Sequence, residues 1–263
     1  MSAGHEALLS VRDLSIRFGG LTAVASMTFD ANAGEIVSLI GPNGAGKTSA
    51  FNAITGYLKP SSGDVLYRGA SLLGLSSNAI AARGVVRTFQ KTSVFAGRTV
   101  LDNVRMGLHL RSEQTALAIL LGLPSVAREE QQLTEEALAM LAFVGIAPRA
   151  DELAAALPYG DQRLLGVAIA LAAKPSLLLL DEPVSGMNPA EKASFMGLIG
   201  RIRARDITIV LVEHDMRTVM GVSDRVVVLN QGRIICDGTP AEIQRNPDVI
   251  KAYLGEGFVR AHH

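Results

Sequence analysis

At 263 residues the chain is long enough for a well-buried core, as one large domain or as a core with a subdomain. Its 25 basic and 25 acidic side chains cancel, which argues against a nucleic-acid binder held mainly by phosphate contacts. The chain is 48% hydrophobic but only 5% aromatic, so aliphatic residues build the core, as buried parallel strands and packed helices require. A single cysteine, Cys236, leaves no partner for an intrachain disulfide and fits a reducing compartment. No apolar run reaches the roughly 20 residues needed to span a bilayer. The first residues lack a basic stretch followed by an apolar one, so no leader peptide is expected. The closing His262-His263 pair reads as a tail or tag remnant rather than a metal site.

In chain order, residues 7–15 alternate partly and read as a strand, with a turn over Ile16-Arg-Phe-Gly-Gly20 and a second strand from Leu21 to Ala31. Glu35 to Ile40 is an apolar-rich strand, and Thr48 to Thr55 reads as a helix closed by Gly56. Pro60-Ser-Ser-Gly63 is a turn, followed by a short strand over Asp64 to Arg68. This early part is strand-rich with tight turns and is expected to be antiparallel. Gly84 to Gln90 reads as a strand ending in a polar residue. From there the character changes. Val100–Arg111 and Gln131–Val144 carry apolar residues at helical spacing, and Thr115–Leu123 reads as a buried helix in preference to one lying on a membrane surface. A helix from Asp161 to Ala173 stops at Lys174-Pro175. Strand Ser176–Pro183, helix Ala190–Arg205, strand Ile207–Val212, helix Met216–Val222, strand Arg225–Leu229 and a hairpin at Asn230–Arg233 follow. The alternation implies a mostly parallel sheet covered on both faces.

Three places carry chemistry. Gly41-Pro42-Asn43-Gly44-Ala45-Gly46-Lys47-Thr48 fits the phosphate-loop pattern G-x-x-x-x-G-K-[ST], and it stands between a strand and a helix as that chemistry requires. Loop amides and the helix N-terminus concentrate partial positive charge at one spot. Lys47 is expected to reach the terminal phosphates and the Thr48 hydroxyl to hold Mg²⁺. Leu180-Asp181-Glu182 ends a buried strand, where α/β sheets bind their ligands. That places Asp181 to hold the metal and Glu182 to orient or deprotonate a water that attacks the γ-phosphate. His214 and Gln90 also stand at strand ends. Each is a candidate in this company and unremarkable alone, since a histidine at a helix start often has a structural role.

Taken together these motifs resemble the nucleotide-binding subunits of ABC transporters, in the expected order and over nearly the whole chain. Gly41 to Thr48 matches the Walker A loop, with Ser49 the hydroxyl after it. Gln90 matches the Q-loop glutamine, a further Mg²⁺ contact, and Leu157-Pro158-Tyr159-Gly160-Asp161 stands where the signature loop belongs. Leu177 to Asp181 matches Walker B, Glu182 the catalytic glutamate and His214 the switch histidine. Phe18 stands where the family has an aromatic stacking on adenine. The resemblance implies an α/β P-loop NTPase core with a mostly parallel sheet, an antiparallel β subdomain near the N-terminus and an inserted helical subdomain. It implies a single ABC ATPase domain over 1–263, with the catalytic core in 1–91 and 165–263 and the helical subdomain in 92–164. It further implies ATP and Mg²⁺ as ligands, a head-to-tail dimer with a second copy or a second ABC ATPase, and membrane permease subunits as partners. A periplasmic solute-binding protein would act indirectly, nucleic acid would not be a partner, and the chain would sit on the cytoplasmic face of the cell membrane.

More narrowly, Arg17-Phe-Gly-Gly-Leu-Thr-Ala-Val24, Arg87-Thr-Phe-Gln90, Ser185-Gly-Met-Asn-Pro189 and Ala252-Tyr-Leu-Gly-Glu256 resemble the branched-chain amino-acid importer ATPases. Importers of urea or other small amides, and the ATPase of lipopolysaccharide export, are near alternatives. A soluble ABC ATPase of DNA repair or translation would usually carry long coiled-coil insertions or two nucleotide-binding halves, and neither is visible. The signature loop departs from the family's usual Leu-Ser-Gly-Gly-Gln. Pro158 has neither the serine hydroxyl nor an N–H to give a phosphate. Asp161 replaces the glutamine and is expected to point away from the partner's γ-phosphate. Gly166 and Ile169 replace Glu and Arg, and Asn188 stands where many members have Asp.

Overall fold

The computed structural model describes residues 7–88, 94–109 and 124–254 and divides into two compact units. The first comprises Met1–Arg87, Ser176–Glu182 and Lys192–His263, and the second Thr88–Pro175 and Pro183–Glu191.

The first unit holds two sheets. Strands β1 (Leu9–Phe18), β2 (Leu21–Ala31), β4 (Ser62–Tyr67) and β5 (Ala70–Ser71) form an antiparallel sheet in the order β2-β1-β4-β5. The second sheet runs β10-β9-β3-β8-β7-β6, from β3 (Ile36–Ile40), β6 (Val85–Arg87), β7 (Leu177–Asp181), β8 (Thr208–Val212), β9 (Arg225–Asn230) and β10 (Arg233–Gly238). Its pairings are parallel except for the β9–β10 hairpin, whose two-residue turn puts Gln231 and Gly232 at φ 46° and 79° as a type I′ turn requires. The central strands β3, β7 and β8 are buried at every position, the mark of a sheet covered on both faces. Helix α1 (Lys47–Ile54) sets Phe51 and Ile54 into one cluster with Leu14, Met27, Leu39, Leu179 and Val210, so a single core joins both sheets.

The second unit packs α3 (Val100–His109), α4 (Pro124–Val144) and α5 (Tyr159–Ala172) against one another. α5 buries Leu165, Val167, Ala168 and Leu171, whereas Gly166 and Ile169, which stand where the family has charged residues, are only partly buried, so burial alone does not explain them. Helices α2 (Ser77–Ala82), α6 (Pro189–Arg203), α7 (Met216–Val222), α8 (Pro240–Arg245) and α9 (Pro247–Leu254), with short 3-10 turns at Ala147–Arg149 and Ala154–Ala156, complete the described elements.

Some expectations change in detail. The turn expected over Ile16–Gly20 is shorter: Ile16 and Phe18 stay in β1, and only Gly19-Gly20 turns, because pairing with β2 continues to Phe18↔Leu21. The helix expected from Gln131 already runs from Pro124, and α5 starts at Tyr159 rather than Asp161, with Pro158 as its cap. β5, α2, α8 and α9 have no counterpart in the sequence reading. Thr115–Leu123 lies outside the described residues, as does Gln90. Among the described residues no helix is long and apolar enough to cross a membrane.

Candidate active site

Parallel pairing in β3, β7 and β8 carries the loops that follow these strands to one edge of the sheet. Three motifs far apart in sequence thereby share that edge: Gly41–Thr48, Asp181-Glu182 and Glu213-His214. This is the carboxyl edge, where such sheets bind ligands.

The loop after β3 folds back on itself. Gly46 adopts φ 105°, and a Cβ there would fall 2.4 Å from the Ala23 carbonyl oxygen, so only glycine fits. The Ala45 carbonyl accepts from Gly232 N–H at 3.0 Å, while Ala25 N–H donates to the Gly232 carbonyl at 2.8 Å, pinning the loop to both sheets. The buried Lys47 ammonium donates to the carbonyls of Gly41 (2.6 Å) and Pro42 (2.9 Å). Burial lowers the Lys47 pKa below the usual lysine value, against the nearby carboxylates of Glu182 and Asp181, which act to raise it.

Phe18, Leu21, Ala23, Asn43, Gly44, Ala45, Gly46, Lys47, Thr48, Ser49 and Glu182 line one cavity of about 310 Å³. The lining is of two kinds. Phe18 and Leu21 are exposed apolar side chains, whereas Thr48 and Ser49 carry hydroxyls, Lys47 an ammonium and Glu182 a carboxylate. A flat apolar base with a polyanionic tail would match that polarity. Behind the loop, Tyr253 of α9 packs with Ile40, Val226 and Val228, and burial pushes its phenol up to about 12.

Asp181 and Glu182 diverge at the end of β7. Asp181 is buried, and its Oδ2 lies 2.6 Å from Arg87 Nη2. Glu182 sits at φ 45°, an uncommon conformation for a side-chain-bearing residue, and its N–H donates to the Val212 carbonyl at 2.9 Å. That turn sends the Glu182 carboxylate into the cavity and within 3.9 Å of His214 Nδ1. The wholly buried Glu213 accepts from His214 N–H at 3.1 Å and lies 3.8 Å from the same ring nitrogen. For a metal, the first unit offers the Thr48 hydroxyl and the Asp181 carboxylate, all-oxygen donors of the kind Mg²⁺ takes. Among the described residues there is no cluster of three or more His, Cys, Asp or Glu that could hold a metal ion alone.

Sequence reasoning assigned no role to three side chains here. Arg87 supports Asp181, reaches the Asn52 side chain at 2.7 Å, and lies over the Phe51 ring at 5.5 Å. A buried strand-end carboxylate requires a cation, which was the available signal. Glu213 follows the last residue of β8 directly and carries no motif of its own. Lys192 pairs with Asp215, the residue after His214, which also caps α7 by accepting from Thr218 N–H. The Lys192 hydrogen bond, then the Thr218 amide, lower the Asp215 carboxyl from 3.8 to about 2. A folded-state pKa below the unfolded one adds stability above the unfolded value, and this is lost as pH falls toward 2. Lys192→Ala should therefore cost about 0.5–1 kcal/mol at neutral pH and flatten the acid limb between about pH 4 and 2. Denaturant unfolding at several pH values checks this, and an unchanged acid limb would refute the assignment.

In the second unit, Pro158 caps α5 with no side-chain hydrogen bond, and Tyr159 and Gly160 follow in its first turn. Tyr159 lies against Gly186, where a Cβ would come within 2.9 Å of its ring. Asp161 pairs with Arg149 at 2.8 Å. The Asn188 side chain accepts from the amides of Ala190 and Glu191, both at 3.0 Å, a capping role that a neutral amide performs as well as a carboxylate.

Comparison with known proteins decides the family. Residues 24–185, more than half of the chain, match the ABC transporter family. The chain belongs to that family. Residues 233–259 match a second family, the branched-chain amino acid ATP-binding cassette transporter. The chain is 46% identical over 250 residues to the high-affinity branched-chain amino acid transport ATP-binding protein LivG of Escherichia coli (strain K12), covering 95% of this chain and 98% of that protein. It is 30% identical over 252 residues to the lipopolysaccharide export system ATP-binding protein LptB of Escherichia coli (strain K12), covering 96% and 99%. The crystal structure of an ATP-binding cassette of an ABC transporter in its ADP conformation superposes with a TM-score of 0.83 at 27% identity, covering 95% of this chain and all of that one. The P-loop NTPase fold and an ATPase activity that powers transport follow from membership of this ABC family.

Proposed function

We propose that the chain is the ATP-hydrolysing subunit of an importer for branched-chain or other hydrophobic amino acids. The observation that carries this is the 46% identity, over 95% of the chain, to an ATP-binding protein of high-affinity branched-chain amino acid transport. In this reading the triphosphate lies in Gly41–Thr48 with the base against Phe18, and Ser49 contributes a second hydroxyl. Mg²⁺, with Thr48, Asp181 and Gln90 as its protein contacts, neutralises phosphate charge when bound. Glu182 takes the proton of the attacking water, and His214 orients that water and the γ-phosphate. Lys47 and the loop amides stabilise the charge on the β- and γ-phosphate oxygens as the bond between the two phosphates breaks and ADP leaves.

Pro158–Asp161 would close the site from a second subunit, either another copy or a related ABC ATPase. The catalytic core would span 1–91 and 165–263 and the helical subdomain 92–164. Permease subunits would hold the chain at the cytoplasmic face of the membrane, and a periplasmic solute-binding protein would select the cargo. Affinity purification from gently solubilised native membranes tests this. Two polytopic permease proteins should co-purify with the chain. Recovery without membrane proteins, or with components of lipopolysaccharide export, would contradict it.

A further inference from the structure

The signature turn carries a charge that its proposed job should not tolerate. Resting on the reading that this turn faces a second subunit's triphosphate, Asp161 would place a carboxylate in the first turn of α5 beside a polyanion. The fold deals with that charge from elsewhere in the second unit. Arg149 Nε lies 2.8 Å from Asp161 Oδ2, while Arg149 Nη1 donates to both oxygens of Glu152 at 3.2 and 3.1 Å. Glu152 anchors the guanidinium on its own segment, and the Nε side of the group forms an ion pair with Asp161 of α5. The other side chains of the turn are also tied down by local contacts. Gln162 Nε2 donates to the Leu157 carbonyl at 3.0 Å. The Tyr159 hydroxyl accepts from Arg163, whose guanidinium lies over the Tyr159 ring at 4.9 Å.

We propose that Arg149 is a positioning residue for the signature turn, holding the Asp161 carboxylate aside so that the amides of Tyr159 and Gly160 face the phosphate. Those first-turn amides have no acceptor within the helix and carry its partial positive charge. With Pro158 contributing no N–H, these two and the Asp161 amide are the donors the turn has left. Arg149 and Asp161 are 39% and 25% exposed, so their pair adds little to folding, and its loss should alter activity more than stability.

The test is a double-variant cycle on the full chain, in the transport complex. Arg149→Ala should lower ATP turnover about tenfold, the effect of freeing one unit charge near the phosphate. Asp161→Gln alone sets the reference turnover, and Arg149→Ala with Asp161→Gln should match that reference rather than fall about tenfold below it, since the two side chains act through one contact. ATP binding by the dilute, isolated subunit should be unchanged in all three. An Arg149 that served only to support the fold would not be rescued by Asp161→Gln. Unimpaired Arg149→Ala, or a loss that persists in the double variant, would overturn the proposal. Gly160→Asp, with folding checked by circular dichroism, separates this from the reading beneath it. If Gly160→Asp retains full turnover, the turn does not face the phosphate and the functional reading of it fails. A Cβ at Gly160 would lie 3.1 Å from the Glu191 carboxylate, so Gly160→Asn is the control for crowding: if Gly160→Asp abolishes turnover and Gly160→Asn does not, that reading stands and the Arg149 result is decided by the cycle alone.

Discussion

Glu182→Gln should bind ATP and hydrolyse it about 10²- to 10⁴-fold more slowly, the range that one positioned general base supplies. Glu182 lines the same cavity as Lys47, Thr48 and Ser49, and its charge acts on Lys47. Its strained φ of 45° is held by the hydrogen bond from its own N–H to Val212, so the side chain is aimed by the backbone rather than by a rotamer choice. Glutamine keeps the shape and can still hold a water, but it cannot accept a proton. It also removes one of the two carboxylates whose charge Lys47 feels, so affinity for a polyanion should hold or rise. Steady-state turnover alongside equilibrium ATP binding separates the two effects. Normal turnover would exclude Glu182 as the base.

Arg87→Ala should destabilise the fold by about 3–5 kcal/mol, the cost of stranding one charge of a buried pair. Arg87 and Asp181 are 6% and 5% exposed and meet at 2.6 Å. Arg87 also donates to Asn52 and stacks on Phe51, both on α1, so it joins the phosphate-loop helix to the end of β7. Arg87→Lys keeps the charge but cannot serve Asp181 and Asn52 with one planar fork, and should cost less. Adding Asp181→Asn to Arg87→Ala should recover part of the loss, because the uncompensated carboxylate is then gone. Chemical denaturation of the three variants checks this. A loss under about 1 kcal/mol for Arg87→Ala would place the pair among weakly coupled surface contacts.

What could be read from the sequence divides along physical lines. The phosphate loop was legible because a glycine-rich turn between an apolar strand and a helix imposes a spacing that few other structures need. Asp181-Glu182 was legible because four leucines before two acids can only end a buried strand. Long apolar runs set the parallel sheet, and the type I′ turn at Gln231-Gly232 set its terminal hairpin. Lateral pairings were not legible. Arg87 meets Asp181 only because β6 lies beside β7 in parallel register, and Arg149 meets Asp161 only through the packing of the second unit. Neither partner lies within a helical turn of the other in sequence. Short elements such as β5 and α2 also escaped, since two to six residues carry too little periodicity. The extra residues of β1 were lost to glycines: Gly19-Gly20 drew the expected turn three residues too early.

Solute-coupled ATP hydrolysis in a reconstituted complex tests the central claim most directly. The chain would be placed in proteoliposomes with its co-purified permeases and supplied with the solute-binding protein, with and without leucine, isoleucine or valine. ATP turnover that rises with the loaded binding protein, together with uptake of the amino acid that ceases in Glu182→Gln, is the predicted result. Turnover indifferent to every branched-chain amino acid, with no uptake, would contradict it.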